Sequence, residues 1–325
     1  DNNTAVGYQA LTENTTAQYN TAVGSTAGDA TTTGALNTFI GYNSGGANTT
    51  GADNVAVGAS ALSTATTASE NTAVGRLAMA ANTTGTANIA MGHETLDANT
   101  TGSSNTALGA YAMSANTTAA NNTGVGYGAL LANTTGASNT AVGKSALAAN
   151  TTGTENVAVG KGALDASVSA NEGTAIGHNA LGTQVTGNNN TAVGSIALAT
   201  SNGGDDNTAV GRNALGANTT ASDNTAVGSG ALAANTTAAN NTAVGRDALT
   251  ANTTGAQNAA VGAIALDANT TGAGNTAMGY GALSAVTTES NNTAVGRNTL
   301  LVSTGADNTA IVSAALAANT TGTLN

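Results

Sequence analysis

A seventeen-residue motif repeated nineteen times is the feature that most constrains how this chain can fold. Its consensus is N-T-A-V-G-x-x-A-L-x-A-N-T-T-G-x-x, and it begins at residues 3, 20, 37 and onward in steps of 17 as far as Asn292. Only the last step, to Asn308, is 16 residues long. Because a fixed period gives every unit the same neighbours, we predict a single repeat domain over residues 1–325, built by stacking. Positions in the motif are numbered 1 to 17 from the opening Asn.

Composition and period together predict an all-β stack. The chain is 40% apolar and therefore too hydrophobic for disorder, but it has only 2% aromatic residues and no Pro or Cys. The absence of Cys excludes disulfides, and the absence of Pro excludes collagen. Seventeen residues are too few for a helical hairpin, and the abundant Gly, Asn and Thr oppose helix. We therefore predict a narrow parallel β-solenoid (β-roll) of about nineteen coils, with one repeat and two short strands per coil.

The T-A-V segment alternates as a strand does, and its substitutions predict which side faces inward. Position 2 takes Val55, Ile89 and Val157 in place of Thr, and position 4 is always apolar. Because such replacements suit a packed interior, we expect positions 2 and 4 to point inward and the Ala between them outward. Position 9 is the second predicted core residue, since it is apolar in 17 of 19 units, with Gly28 and Gly45 as the exceptions. So thin a core predicts burial against further copies of the chain.

Two motif positions are typical of turns. Gly follows the strand in 18 units, which indicates a positive φ or a close backbone approach. Asn opens 18 units, and stacked Asn side chains can hydrogen-bond from coil to coil. The predicted turn ladder begins with Asn3, Asn20, Asn37, Asn54, Asn71, Asn88 and Asn105.

Position 6, directly after the Gly, is the candidate surface or partner-binding line. It holds all six cations, both histidines and four of the six tyrosines. Three interpretations stay open: a solvated edge that keeps stacks apart, a contact between chains, and a line that binds a specific ligand. The residues are Tyr8, Tyr42, Arg76, His93, Tyr127, Lys144, Lys161, His178, Arg212, Arg246, Tyr280 and Arg297.

Charge and spacing argue against several functions. The net charge is −11 with only six Lys and Arg, which is a poor surface for nucleic acid. No apolar run reaches the roughly 20 residues of a membrane span. His93 and His178 are five units apart, roughly 24 Å along a stack, so they cannot share a metal. We expect no catalytic site, metal or cofactor in this segment.

The motif resembles repeats of two kinds of surface fibre. Asn71-Thr72-Ala73-Val74-Gly75 and Asn156-Val157-Ala158-Val159-Gly160 are similar to the N-S-V-A-I-G repeats in the heads of trimeric autotransporter adhesins. The longer N-T-A-V-G-x-x-A-L-x-x-N-T-T-G pattern also resembles bacteriophage tail-fibre proteins. The adhesin resemblance implies a left-handed β-roll, three chains side by side, and binding to host-surface protein or glycan. The adhesin repeat is shorter than this one.

The expected function is therefore mechanical. We expect a non-enzymatic, homo-oligomeric shaft or head of an extracellular fibre, at a bacterial cell surface or on a virion, that spaces or presents an adhesive element. We expect the chain to be a segment of a longer fibre protein. The alternative is an ice-binding β-solenoid that uses the Thr-rich N-T-T columns.

Overall fold

The computed structural model describes residues 2–318 and 322–323, which fall into two compact units. Unit 1 takes in the described residues up to Gly162 together with Ser167–Ser169, and unit 2 takes in Ala163–Ala166 and the described residues from Ala170 onward. Each unit is a parallel β-solenoid, which confirms the all-β prediction with one repeat per coil. The single repeat domain over residues 1–325 stays a prediction, as does the left-handed winding.

The T-A-V segment forms one three-residue strand in every coil. Within each unit, consecutive strands pair in parallel and in register, so that Thr4 lies opposite Thr21 and Thr191 opposite Thr208. Unit 1 contains β1 Thr4–Val6, β2 Thr21–Val23, β3 Thr38–Ile40, β4 Val55–Val57, β5 Thr72–Val74, β6 Ile89–Met91, β7 Thr106–Leu108, β8 Thr123–Val125, β9 Thr140–Val142 and β10 Val157–Val159. Unit 2 contains β11 Thr174–Ile176, β12 Thr191–Val193, β13 Thr208–Val210, β14 Thr225–Val227, β15 Thr242–Val244, β16 Ala259–Val261, β17 Thr276–Met278, β18 Thr293–Val295 and β19 Thr309–Ile311.

The expected second strand of each coil does not form among the described residues, so that prediction is wrong. Positions 7, 9 and 17 take positive φ in nearly every coil, as in Ser60 (55°), Leu62 (52°) and Glu70 (60°). Left-handed residues break the extended backbone, so the rest of the coil is a chain of turns. Their cost of roughly 1–2 kcal/mol each is offset by hydrogen bonds between coils. The Leu62 N–H, for example, donates to the Ala78 carbonyl at 2.9 Å.

The strand faces are the reverse of the prediction from substitutions. In β5, Ala73 is fully buried, whereas Thr72 and Val74 on either side are half-buried and face outward. The central residue of the strand is likewise buried in every strand except β1, which is exposed throughout. The interior is too narrow for a branched side chain at position 3, because Ala at position 8 and Leu at position 9 already fill it, as Ala78 and Met79 do in this coil. Core burial of position 9 agrees with the prediction.

The two coils that have Gly at position 9 are explained by one large side chain. Phe39 replaces the inward Ala of β3 and is fully buried. A Cβ on Gly28 would lie 2.6 Å from Cδ2 of Phe39, and a Cβ on Gly45 would lie 2.4 Å from its Cε1. The phenyl ring therefore occupies the space that two Leu side chains fill elsewhere.

The opening Asn residues form a buried hydrogen-bonded ladder along the inside of each unit. The Asn37 Nδ2 donates to the Gly51 carbonyl of its own coil at 2.9 Å. Its Oδ1 accepts from both the backbone N–H and the Nδ2 of Asn54, each at 3.0 Å. Since each amide is used within its coil and by the next, the ladder fixes the distance between coils while leaving few buried polar atoms unpaired.

A second Asn ladder runs along position 12. The Asn99 Nδ2 donates to Oδ1 of Asn82 at 2.8 Å and to the Gly102 carbonyl at 2.9 Å. This ladder is interrupted where another residue replaces Asn. Oδ1 of Asn48, whose next neighbour is Ala65, is buried without a hydrogen-bond partner among the described residues. The described residues contain no helix that is long and apolar enough to cross a membrane.

Candidate functional site

The position-6 line lies just after the point where each strand ends. The Gly at position 5 has φ near 130°, which turns the chain and directs position 6 away from the strand. The backbone then fixes each position-6 residue by a bond to the next coil, as when Glu94 N–H donates to the Arg76 carbonyl at 3.0 Å. Neighbouring members of the line are therefore held at the coil spacing of roughly 4.8 Å.

One group of charged residues forms in unit 1 around His93. The Arg76 Nη1 lies 2.8 Å from Nε2 of His93 and 3.3 Å from Oε1 of Glu94. The His93 Nε2 is 3.5 Å from the same Glu94 oxygen. The Arg76 side chain remains 60% exposed and that of Glu94 30% exposed. Because both are open to solvent, the pair contributes little to stability.

Two tyrosines and a lysine continue the line on the far side of His93. The His93 and Tyr111 rings meet edge to face with centroids 5.5 Å apart, and the Tyr111 and Tyr127 rings meet the same way at 5.7 Å. The Lys144 Nζ lies 5.9 Å from the centroid of Tyr127, within the range of a cation–π contact. Arg76, His93, Tyr111, Tyr127 and Lys144 therefore form a continuous surface, which we call the aromatic–cationic strip.

The other predicted members of the line are exposed but more isolated. Arg297 lies 5.9 Å from the ring of Tyr280, and Arg246 pairs with Asp247 at 3.0 Å. Five members have no ion pair or ring contact within the part of the chain that the structure describes. They are Tyr8, Tyr42, Lys161, His178 and Arg212.

The sequence-based prediction missed Tyr111 and Glu94, which both stand at position 7. The sequence contains one signal that points to Tyr111. Ala110 occupies position 6 of the same coil, so the position-6 line has no long side chain there. Tyr111 fills this gap from the next position along the chain and joins His93 to Tyr127.

Half-buried carboxylates lie on another line, at position 10. Burial raises the pKa of Asp97, Asp165 and Asp267 above the ordinary value, and backbone N–H groups reverse this only in part. For Asp97 the charge of Glu94 raises the pKa further. In the described residues, no three His, Asp or Glu side chains are grouped so that they could hold a metal ion.

Comparison with known proteins adds no family or relative to this geometry. No protein-family model matches the chain, and no curated protein matches its sequence. What the site can do must therefore be argued from its own residues. An exposed line of aromatic rings and cations on a rigid stack is suited to binding an extended ligand.

Proposed function

We propose that this chain is a homo-oligomeric, non-enzymatic shaft or head of an extracellular fibre, as in a bacterial surface adhesin or a phage tail fibre. The observation that carries the proposal is the outward face of the strands. Position 4 is large and apolar in all nineteen coils, although it faces outward. Its residues are Val6, Val23, Ile40, Val57, Val74, Met91, Leu108, Val125, Val142, Val159, Ile176, Val193, Val210, Val227, Val244, Val261, Met278, Val295 and Ile311.

This apolar strand face is open to solvent in the single chain. Val142 is 37% exposed, Met91 44% and Met278 46%. The neighbouring outward position 2 carries only Thr, Val, Ile or Ala, so neither position 2 nor position 4 carries a charge in any coil. Long uncharged apolar surfaces of this kind mark interfaces, because water contact with them is unfavourable. We therefore expect a binding partner to bury the strand face.

A second copy of the same chain is the binding partner that matches the strand face best. The side chains at positions 2 and 4 repeat at the coil spacing of roughly 4.8 Å. A partner can match them coil for coil only if it has the same axial repeat. Homo-oligomers bury faces that are more apolar than ordinary surface. The resemblance to trimeric adhesin heads favours three copies. The aromatic–cationic strip, at positions 6 and 7, lies on a different part of the coil from the strand face at positions 2 and 4.

The mass of the purified assembly in solution tests this proposal. We expect three times the 30.7 kDa chain mass by analytical ultracentrifugation. Val142→Asp with Val227→Asp places a charge on the strand face of each unit and should give monomers. Thr135→Asp with Thr220→Asp, at the exposed position 14, is the matched control and should leave the mass unchanged. A wild-type monomer would overturn the proposal.

Ice binding is the second candidate, and one observation favours it. Position 14 is an exposed Thr in nine consecutive coils of unit 1, whereas hydroxyls at position 13, such as that of Thr100, donate to the next coil. The exposed residues are Thr16, Thr33, Thr50, Thr67, Thr84, Thr101, Thr118, Thr135 and Thr152. Thermal hysteresis in a freezing assay that disappears in Thr84→Asp with Thr118→Asp would support ice binding, and its absence would eliminate it.

A further inference from the structure

We propose that the aromatic–cationic strip of unit 1 binds an acidic polysaccharide with widely spaced carboxylates. This inference deepens the proposed fibre function, on which it rests, by naming a ligand class and a place. The strip is the longest series of contacts between surface side chains in the described residues of unit 1.

The aromatic part of the strip supplies ring surface for sugars. Tyr127 is 56% exposed, and its ring is held at 77° to that of Tyr111. The two rings therefore present different surfaces, an edge and a face, along one line. The C–H groups of a pyranose pack against aromatic faces, and the phenolic hydroxyls can bond sugar hydroxyls.

The cations at the two ends supply the charge selection. Arg76 and Lys144 lie four coils apart, roughly 19 Å along the stack. The Arg76 guanidinium contacts His93 and Glu94 and remains 60% exposed, and its planar fork matches a carboxylate. Lys161 follows Lys144 in the next coil of the same unit. A ligand that uses both ends must be an extended chain.

The spacing of the cations also decides against nucleic acid. A nucleic acid carries a phosphate on every nucleotide and requires many Lys and Arg to neutralise it. The strip has one cation at each end with a carboxylate beside Arg76, on a chain whose net charge is −11. Phosphates between the two ends would meet no cation. A polymer with neutral sugars between its carboxylates avoids this cost.

The strip is held in place before any ligand arrives. Tyr111 N–H donates to the His93 carbonyl at 3.0 Å, and Ser145 N–H donates to the Tyr127 carbonyl at 3.0 Å. Because the stacked backbone fixes the spacing of the rings, little conformational entropy is lost on binding. Unit 2 offers an internal comparison, since Tyr280 and Arg297 repeat the ring–cation contact without the second tyrosine.

Calorimetric titration of the full chain with hyaluronan, in which every second sugar is neutral, tests the site. We expect saturable binding of hyaluronan, none of neutral dextran, and weaker binding as salt is raised. Tyr111→Ala with Tyr127→Ala should weaken hyaluronan binding about tenfold, because both rings contribute stacking energy of the kind measured for bases. Arg76→Ser with Lys144→Ser should weaken it and reduce its salt dependence.

Tyr42→Ala with Arg212→Ser is the matched control, since both residues occupy position 6 without ring contacts, and it should bind hyaluronan as wild type does. No binding of hyaluronan, equal binding of dextran, tighter binding of oligothymidylate, or an equal loss in the control would each overturn the site. The assembly mass is measured on every variant. A monomeric wild type that still binds hyaluronan through the strip would overturn the fibre assembly and support the site.

Discussion

At the scale of single residues, the glycine at position 5 is required by the next coil. A Cβ on Gly126 would lie 2.6 Å from the carbonyl oxygen of Gly143, and φ at Gly126 is 131°. Gly128, two residues later, also has a positive φ of 62°, but a Cβ there would meet nothing within 4 Å. The two glycines separate the effect of backbone conformation from the effect of close approach between coils.

Gly126→Ala should therefore destabilise the chain far more than Gly128→Ala. The first change forces a methyl group into the neighbouring backbone, and we expect a loss above about 4 kcal/mol. The second adds only left-handed strain, about 1 kcal/mol. Thermal unfolding followed by circular dichroism measures both. Equal losses would show that φ alone sets the requirement for glycine.

Asp267 contributes a pH dependence of known sign. Burial raises the pKa of its carboxyl group, with a smaller contribution from the charge of Asp247. A folded pKa above the unfolded value means that ionisation opposes folding, so this group costs stability as pH rises through the raised pKa. The cost is absent below the unfolded pKa of about 4.

Asp267→Ala should accordingly raise Tm at pH 7, and the gain should shrink towards zero as the pH is lowered to about 4. Ala is already present at position 10 in five other coils, including Ala80 and Ala148, so the change introduces no new packing. Melting curves of both proteins between these pH values test the prediction. A difference in Tm that does not vary with pH would rule out the carboxylate as its cause.

At the scale of the coil, compensation between neighbouring coils decides which substitutions are tolerated. Phe39 fills the space left by Gly28 and Gly45. A similar exchange occurs between β8 and the coil before it, where a Cβ on Gly124 would lie 3.1 Å from Cε of Met113. The volume of the interior is therefore conserved over neighbouring coils rather than within each coil.

Phe39→Ala should cost about 3–5 kcal/mol, because it leaves a cavity across the two adjacent coils of β2 and β3. Gly28 and Gly45 have φ of 56° and 58°, close to the value of Leu62. Adding Gly28→Leu and Gly45→Leu to Phe39→Ala should therefore restore most of the lost stability, whereas Gly28→Leu alone should destabilise by collision with the ring. Chemical denaturation of the three variants measures this, and a triple variant no better than Phe39→Ala would exclude compensation.

The interruption of the position-12 ladder at Ala65 gives a second test at this scale. Ala65→Asn would supply an Nδ2 donor to Oδ1 of Asn48 and an Oδ1 acceptor to Nδ2 of Asn82. At about 1 kcal/mol per net hydrogen bond, we expect a gain of about 1–2 kcal/mol. Ala65→Val is the control, because Val286 occupies the same position in another coil. An equal gain from Val would attribute the effect to packing.

At the scale of the whole molecule, stacking makes each coil depend on its immediate neighbours. Removal of residues 224–240, one complete repeat of unit 2, joins Asp223 to Asn241 and preserves every motif position. We expect this deletion to fold with a small fall in Tm, since only one interface between coils is lost. Deletion of residues 224–231 shifts the register by half a coil and should unfold the stack locally. Equal effects of the two deletions would contradict nearest-neighbour stacking.

Much of the fold follows from the sequence, because a period is independent of packing detail. The 17-residue spacing, the strand at T-A-V and the core role of position 9 were all predictable from the repeat. The direction of the strand faces was predicted wrongly. Apolar substitutions such as Val55 and Ile89 mark a position that avoids charge, and an outward face that another chain covers gives the same signal as an interior.

The candidate site was predictable only as a line. Its position-6 members could be identified because all six cations and both histidines lie in one column. The contacts between these residues could not be predicted, because Tyr111 and Glu94 stand at position 7 rather than position 6. The geometry of the turn decides whether a side chain at position 7 reaches the position-6 line.

The sequence by itself determined the repeat, the stacking and the column that carries the exposed cations and rings, since all three depend only on periodicity. Only the tertiary structure decided which strand face is interior, why Gly28 and Gly45 accompany Phe39, and which side chains meet in the strip. The physical reason is that these outcomes depend on the width of the coil and on contacts between neighbouring coils, such as Gly28 with Phe39 and His93 with Tyr111, which no single repeat contains.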